Sequence, residues 1–249
     1  MKKIAIYTCV TGGYDVVKAP LKINHNIDYI CFSDQKISAP YPWKVRNIAE
    51  LKISKSFDKK TINRAIKICP QDFGLLEEYE LTIYIDGSIE IMDDLSLLID
   101  FVTKQDYDIF MYEHFLRNCL YDEAEECLLI GYDWYWNIQK QVKRYKQRGF
   151  PVSYGLFECG IIIRKKSRDL NVILQKWFEE YVKGVKRDQL SLTYILWENG
   201  YHLYSLGESD ARYKNRHFKL HRHSIKSNEY LRKFRSKLNK LLLIFWGGI

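Results

Sequence analysis

Apolar, β-branched and aromatic residues fall in short runs at Ile4–Cys9, Ile27–Phe32, Leu81–Ile85, Tyr107–Tyr112 and Gly160–Arg164. Short runs of this kind, bounded by turn residues, predict strands. Over Lys59–Ile68, Tyr132–Arg148, Leu170–Val182 and Gln189–Asn199 the apolar positions recur at three and four, the period of a helix with one face toward a core. Strands alternating with helix-length segments predict an α/β fold, a central sheet flanked by helices. No Pro/Ser-rich linker and no internal repeat divides the first 210 residues, so one domain is expected over residues 1–227. Beyond Ser227 the pattern changes. Tyr230, Leu231, Phe234, Leu238, Leu241, Leu242 and Phe245 share one helical face, with Arg232, Lys233, Arg235, Lys237 and Lys240 around the remainder. Residues 228–249 therefore read as a basic amphipathic C-terminal helix with two destinations open: a membrane interface, or packing on its own domain.

The charge sharpens that contrast. The 249 residues carry a net +8, but residues 211–240 hold 11 Lys/Arg against one acid, Glu229, which leaves the rest of the chain at −2. A nearly neutral body with a basic tail suits anionic partners: membrane headgroups, nucleic acid or a phosphorylated ligand. No nucleic-acid motif is present and the charge is confined to the tail, so nucleic acid is not expected. The six cysteines (Cys9, Cys31, Cys69, Cys119, Cys127 and Cys159) show no CxxC or zinc-type spacing, and read as reduced, mostly buried thiols in a chain large enough to do without disulfides. The start, MKKIAIYTCVTGGYD, has too short an apolar run for a signal peptide, and nowhere do about 18 apolar residues run together. A cytoplasmic location is expected.

Several polar clusters follow the strand runs, where ligands of α/β sheets bind. TCVTGGYD places Thr8, Thr11 and Asp15 in a small-residue turn through which backbone can approach a nucleotide; lacking GxGxxG, it is also readable as an ordinary turn. In DKKTINRAIK, Lys60, Arg64 and Lys67 form a row able to neutralise a diphosphate, or a solvated helix face. In LTIYIDGSIEI, Asp86-Gly87 is either the corner of a type I′ hairpin or a strand-end carboxylate that, with diphosphate oxygens and a second ligand, holds Mn²⁺ or Mg²⁺. Glu158 precedes a buried run and is costly there unless hydrogen-bonded or facing a cleft. Asp188 sits where an N-cap would start the next helix.

The ordered set IAIYTCVTGGYD, YICFSD, KKTINRAIK, IYIDGSIEI, EHFLRNCLYDEAEEC, GLFECGIIIRKK and KRDQLSLTYILW, over roughly residues 4–223, resembles the glycosyltransferase-like family related to retaining family 8 glycosyltransferases. That family includes plant mucilage and cell-wall enzymes and bacterial surface-polysaccharide proteins. The resemblance implies a GT-A-like (Rossmann-like) mixed sheet and a nucleoside-diphosphate sugar as donor. It further implies a divalent cation, and transfer of one sugar to a glycan or lipid-linked acceptor with retention.

Carried onto this chain, the resemblance makes Asp86 the metal- and diphosphate-binding carboxylate, with Gly87 and Ser88 beside it and Thr8, Thr11, Asp15, Lys60 and Arg64 around the nucleotide. The usual Asp-x-Asp would put a second carboxylate at position 88, where Ser88 stands; Ser88, a water, a weaker ion or no metal at all remain open. A histidine near the domain end would be a further metal ligand, and His217, His221 and His223 offer themselves, the latter two favoured. His114 and Arg117 would orient donor or acceptor hydroxyls, Glu158 would bind sugar, and Asp188 and Gln189 would lie beside the reacting sugar. Glu123 reads equally as a surface or a functional residue, and Tyr132–Gln139 as a stacking surface for an acceptor sugar or as core. The basic tail suits a peripheral enzyme working on lipid-linked acceptors at the inner face of a membrane. The alternative is a non-catalytic nucleotide-sugar or glycan binding module.

Overall fold

A computed structural model describes residues 3–49, 51, 53, 56–209, 211–212, 215–223 and 229–246; the domain boundary expected at residue 227 and the last three residues lie outside them. The apolar runs become β1 (Ile4–Val10), β2 (Asp28–Ser33), β4 (Leu81–Ile85), β6 (Ile109–His114) and β7 (Phe157–Lys165). The periodic segments become α1 (Lys59–Ile68), α4 (Tyr135–Gln147), α5 (Arg168–Lys183) and α6 (Gln189–Glu198), and the tail becomes α7 (Glu229–Trp246). Six further elements carry no strong pattern: β3 (Lys44–Asn47), whose KVRN is exposed throughout, β5 (Ile89–Ile91), β8 (Tyr204–Ser209), β9 (Phe218–Leu220), α2 (Ser96–Lys104) and α3 (Leu120–Leu129).

Seven strands form one sheet in the order β3-β2-β1-β4-β7-β6-β8. All pairings are parallel except those of β7, which runs antiparallel to both β4 and β6. Side chains alternate between two apolar layers: Ala5, Tyr7 and Cys9 of β1 enter one, together with α1 and α3–α6, while Ile6 and Val10 enter the other with α2. This is the mixed, helix-flanked, Rossmann-like sheet expected of a GT-A fold. All six cysteines are free and buried in these layers.

Two features of the topology make the site. The chain leaves β1 toward β2 on one side and returns as β4 on the other, so the carboxyl ends of β1 and β4 bound a switch-point crevice. Because β7 is reversed, its amino end, carrying Glu158, reaches the same sheet edge as Ile85 and His114.

The hairpin expected at Asp86-Gly87 is not formed. Ile89 N–H donates to Asp86 O (2.8 Å), closing a turn, but β5 then leaves the main sheet and pairs antiparallel with β9. Neither Asp86 nor Gly87 has the positive φ of a type I′ turn. Glycine is needed there for space: a Cβ would stand 2.9 Å from Val10 Cγ2 and 3.2 Å from Asp15 Cβ.

Helix α7 packs on its own domain by one face. Asn239, fully buried, accepts from Tyr135 N–H (2.9 Å) and donates to Leu128 O (3.0 Å) and Asp133 O (2.8 Å), tying α7 to the end of α3 and the start of α4. Arg232 Nε donates to Ile130 O, and Gly131 is so close that a Cβ would lie 2.1 Å from Arg232 O.

Candidate active site

A cavity of about 820 Å³ opens at the carboxyl ends of β1 and β4, a volume suited to a ligand larger than a monosaccharide. One wall is α1. Asp58 caps it by accepting from Thr61 N–H (2.7 Å), and its helical spacing turns Lys60, Asn63, Arg64 and Lys67 to the cavity together. Arg187 joins them from the loop before α6, Arg212 from beyond β8, and Arg232 and Arg235 from α7. With Lys59, eight Lys/Arg face four carboxylates, those of Asp15, Asp86, Glu158 and Asp188, so the cavity favours an anion.

At its floor Lys67, 1% exposed, donates to Asp188 Oδ2 (2.7 Å) and to Asp86 Oδ1 (3.3 Å), and Tyr84 Oη donates to the same Asp86 oxygen (2.8 Å). Arg64 Nε lies 3.2 Å from Asp188 Oδ2 without hydrogen-bond alignment. Burial alone would raise the Asp188 carboxyl, but the charges of Lys67, Arg64 and Arg187 override it and hold the group ionised, well below the usual carboxylate range. Asp188 thus positions cations. The N-cap expected of it is not made, since its side chain turns to Lys67 and makes no capping bond. One arginine nitrogen on the cavity wall, Arg235 Nε, is a buried donor with neither a hydrogen bond nor an ion pair to the described protein. A buried donor in that state is costly unless a ligand oxygen serves it.

Glu158 stands at the other wall. Gln189 Nε2 reaches Glu158 Oε2 (3.4 Å) and Phe157 O (3.3 Å). His114 Nδ1 accepts from the backbone N–H groups of Leu116 and Arg117 (3.2 Å each), which puts its proton on Nε2, 3.5 Å from Glu158 Oε1. Loss of hydration lowers the His114 pKa, which favours the neutral ring. His114 and Arg117 do not line the cavity as the sequence suggested. They stand one layer behind it, where the buried Glu123 accepts from Arg117 Nε (2.9 Å) and Arg187 Nη2 (2.7 Å) and fixes the arginine that does line it. Glu123 is therefore neither a surface residue nor a ligand contact.

Other expected residues separate in the same way. Thr11, Asp15, Lys60 and Gly87 line the cavity, whereas Thr8 is fully buried in β1 and Ser88 is buried beside the cavity with its Oγ unpaired. Lys60 Nζ donates to Tyr132 Oη (2.6 Å); loss of hydration first, then the Arg64 charge, pushes its pKa down to about 8. His223 reaches the cavity, its Nδ1 3.0 Å from Asp15 Oδ1, and that contact raises its pKa above 6.5. His221 does not: pairing of β9 with β5 sets its Nε2 2.7 Å from Glu90 Oε2 instead, and His217 is also away from the cavity. Of the Tyr132–Gln139 stretch only Tyr132 faces the cavity, while Tyr135 and Ile138 are buried in the core.

Asp86, Asp15 and His223, which line the cavity, are the side chains that could hold a Mn²⁺ or Mg²⁺ together with diphosphate oxygens. By themselves, no three His, Cys, Asp or Glu side chains among the described residues converge; Asp86 is engaged by Lys67 and Tyr84, and position 88 offers only a buried hydroxyl.

Sequence reasoning missed Arg187, Arg212, Arg232 and Arg235 as cavity residues, and left Lys67 out of the site although it named the Lys60–Arg64–Lys67 row. Only that row carried a readable signal. The family model of the TOD1/MUCI70, glycosyltransferase-like domain matches residues 58–205, a span from the α1 cap to β8 that includes Asp86, Glu158 and Asp188 but not His223 or α7. No curated protein matches the chain.

Proposed function

The chain belongs to the TOD1/MUCI70 glycosyltransferase-like family, and from that premise we propose that it transfers a sugar from a nucleoside-diphosphate sugar to an acceptor hydroxyl. The observation that carries the reading is the surplus of cations in the cavity, eight Lys/Arg against four carboxylates, with Arg235 Nε a buried donor left without an acceptor. A diphosphate brings several anionic oxygens to that surplus.

Breaking the bond between the sugar's anomeric carbon and the phosphate oxygen leaves negative charge on the diphosphate. Charges already fixed around that position lower the barrier most, because they need no reorganisation during the reaction. Lys67 and Arg64 are fixed by Asp188, and Arg187 by Glu123. No step is assigned to a divalent cation. Thr11, Asp15 and Gly87 line the cavity near the carboxyl ends of β1 and β4, where the nucleotide would lie. Glu158, hydrogen-bonded by Gln189 and faced by the Nε2 proton of His114, orients sugar hydroxyls at the opposite wall.

The test is turnover of UDP- and GDP-sugars, with CMP-sugars as the monophosphate comparison, in Mn²⁺, Mg²⁺ and EDTA, on wild type, Arg64→Met and Asp86→Ala. Turnover of a diphosphate donor that Arg64→Met cuts by at least about tenfold is expected, a loss matching one charge-assisted contact in the transition state. If wild type neither binds nor turns over any donor, the proposal falls. A second reading, a binding module without catalysis, is favoured by the buried Ser88 in place of a second carboxylate; it requires diphosphate binding with no donor turnover under any condition.

A further inference from the structure

Helix α7 has two faces with different surroundings. Asn239 and Arg232 fasten one to α3 and α4 and set Arg232 and Arg235 in the cavity wall. The opposite face carries Tyr230 (89% exposed), Phe234 (59%), Leu241 (52%) and Phe245 (76%). These residues follow one another at intervals of four, seven and four, so at about 100° per residue they fall on one stripe. Ile244 borders it, as do Lys233, Lys237 and Lys240, all exposed. The only acidic residue in the helix is Glu229, at its first position.

The aromatic patch continues onto the body of the protein. Phe234 meets Trp134 edge-on (6.3 Å), and Trp134 stacks on Trp136 (5.2 Å, 7° between planes), which is itself half exposed. An apolar surface of this length is costly in water and calls for a cover.

We propose that this outer face of α7 lies on a bilayer surface carrying anionic headgroups. The charge decides the occupant. A bilayer offers an apolar layer for the aromatic stripe and negative charge at the depth of the flanking lysines, the arrangement that holds amphipathic helices in an interface. A second copy of this chain offers the stripe an apolar partner but sets Lys233, Lys237 and Lys240 against the same lysines. The helix rests on the surface and does not cross it: among the described residues, no helix is long and apolar enough to span a membrane. Because Arg232 and Arg235 belong to the same helix, docking places one wall of the cavity about a helix diameter from the lipid surface. If the transfer reading of the preceding section holds, the acceptor class is lipid-linked.

Vesicle co-sedimentation tests the surface without any donor, so its result is separate from that of the turnover assay. Full-length protein is expected to bind vesicles of phosphatidylcholine with 30% phosphatidylglycerol at least ~10-fold more tightly than pure phosphatidylcholine in 0.1 M NaCl, and to lose most of that preference in 0.5 M NaCl. Tyr230→Glu with Phe245→Glu, and separately Lys233→Gln with Lys237→Gln and Lys240→Gln, should abolish anionic-vesicle binding without moving the melting temperature, since all of these side chains are exposed and none makes the Asn239 contacts. Three results overturn the proposal: wild type that stays in solution, equal binding to neutral vesicles, or sedimentation velocity showing a dimer that Tyr230→Glu with Phe245→Glu dissociates while vesicle binding is absent.

Discussion

Lys67→Met tests the ion pairs at the cavity floor, because methionine keeps an unbranched, apolar stem and removes the ammonium that donates to both Asp188 and Asp86. Lys67 is 1% exposed and the Asp188 side chain 7%, with 2.7 Å between Nζ and Oδ2. Deleting one partner of a buried pair costs about 3–5 kcal/mol, since the other charge is left uncompensated. Here Arg64 remains 3.2 Å from the same oxygen and keeps part of the compensation, so the expected loss falls at or below that range's lower limit, about 2–3 kcal/mol. In a chain of this size that corresponds to a fall in melting temperature of roughly 4–12 °C.

Urea denaturation of wild type, Lys67→Met, Asp188→Asn and the double variant measures the pair directly. Removing both charges should cost less than the sum of the single losses by at least about 1 kcal/mol. The pH dependence has a definite sign. The Asp188 carboxyl is depressed in the folded state, so its contribution is complete above the unfolded value of about 3.9 and is lost only as pH falls toward the folded one. The coupling should therefore be equal at pH 7 and pH 5. Additive single losses, or a Lys67→Met cost below about 1 kcal/mol, would refute the claim that Asp188 serves to hold Lys67.

Two further outcomes follow from the same geometry. Asn239→Leu takes one hydrogen-bond partner each from Tyr135 N–H, Leu128 O and Asp133 O in a buried place, and should cost about 2–4 kcal/mol in urea unfolding and expose α7 to limited proteolysis; a loss under about 1 kcal/mol with α7 still protected would mean that the helix is held elsewhere. Lys60, with its pKa near 8, is charged at pH 7 and largely neutral at pH 9, so UDP affinity measured by calorimetry should fall several-fold between them. Lys60→Arg should flatten that fall, separating it from the titration of His223, and an unchanged slope in the variant would remove Lys60 from the anion site.

The local pattern of the chain already determined most of the regular elements. Apolar runs mark β1, β2, β4, β6 and β7, and the three-and-four spacing marks α1, α4, α5 and α7, because burial of one face imposes its period on the residues that form it, whereas α6 is buried on every side from Gln189 to Leu196. The Lys60–Arg64–Lys67 row and the strand-end position of Asp86 were legible for the same reason. Chemistry joined across the chain was not. Lys67 and Asp188 are 121 residues apart and His223 and Asp15 are 208 apart, and no local periodicity encodes such pairings.

Tertiary structure alone decided which residues became a site. Reversal of β7 carries Glu158 to the ligand edge, and β5–β9 pairing brings His223 to Asp15 while turning His221 to Glu90. The Lys67 ammonium captures Asp188, which a local reading would make a helix cap. For α7 the sequence supplied two faces, and the structure used one to complete the cavity and left the other exposed, because only one side of a helix can reach a core through contacts such as those of Asn239.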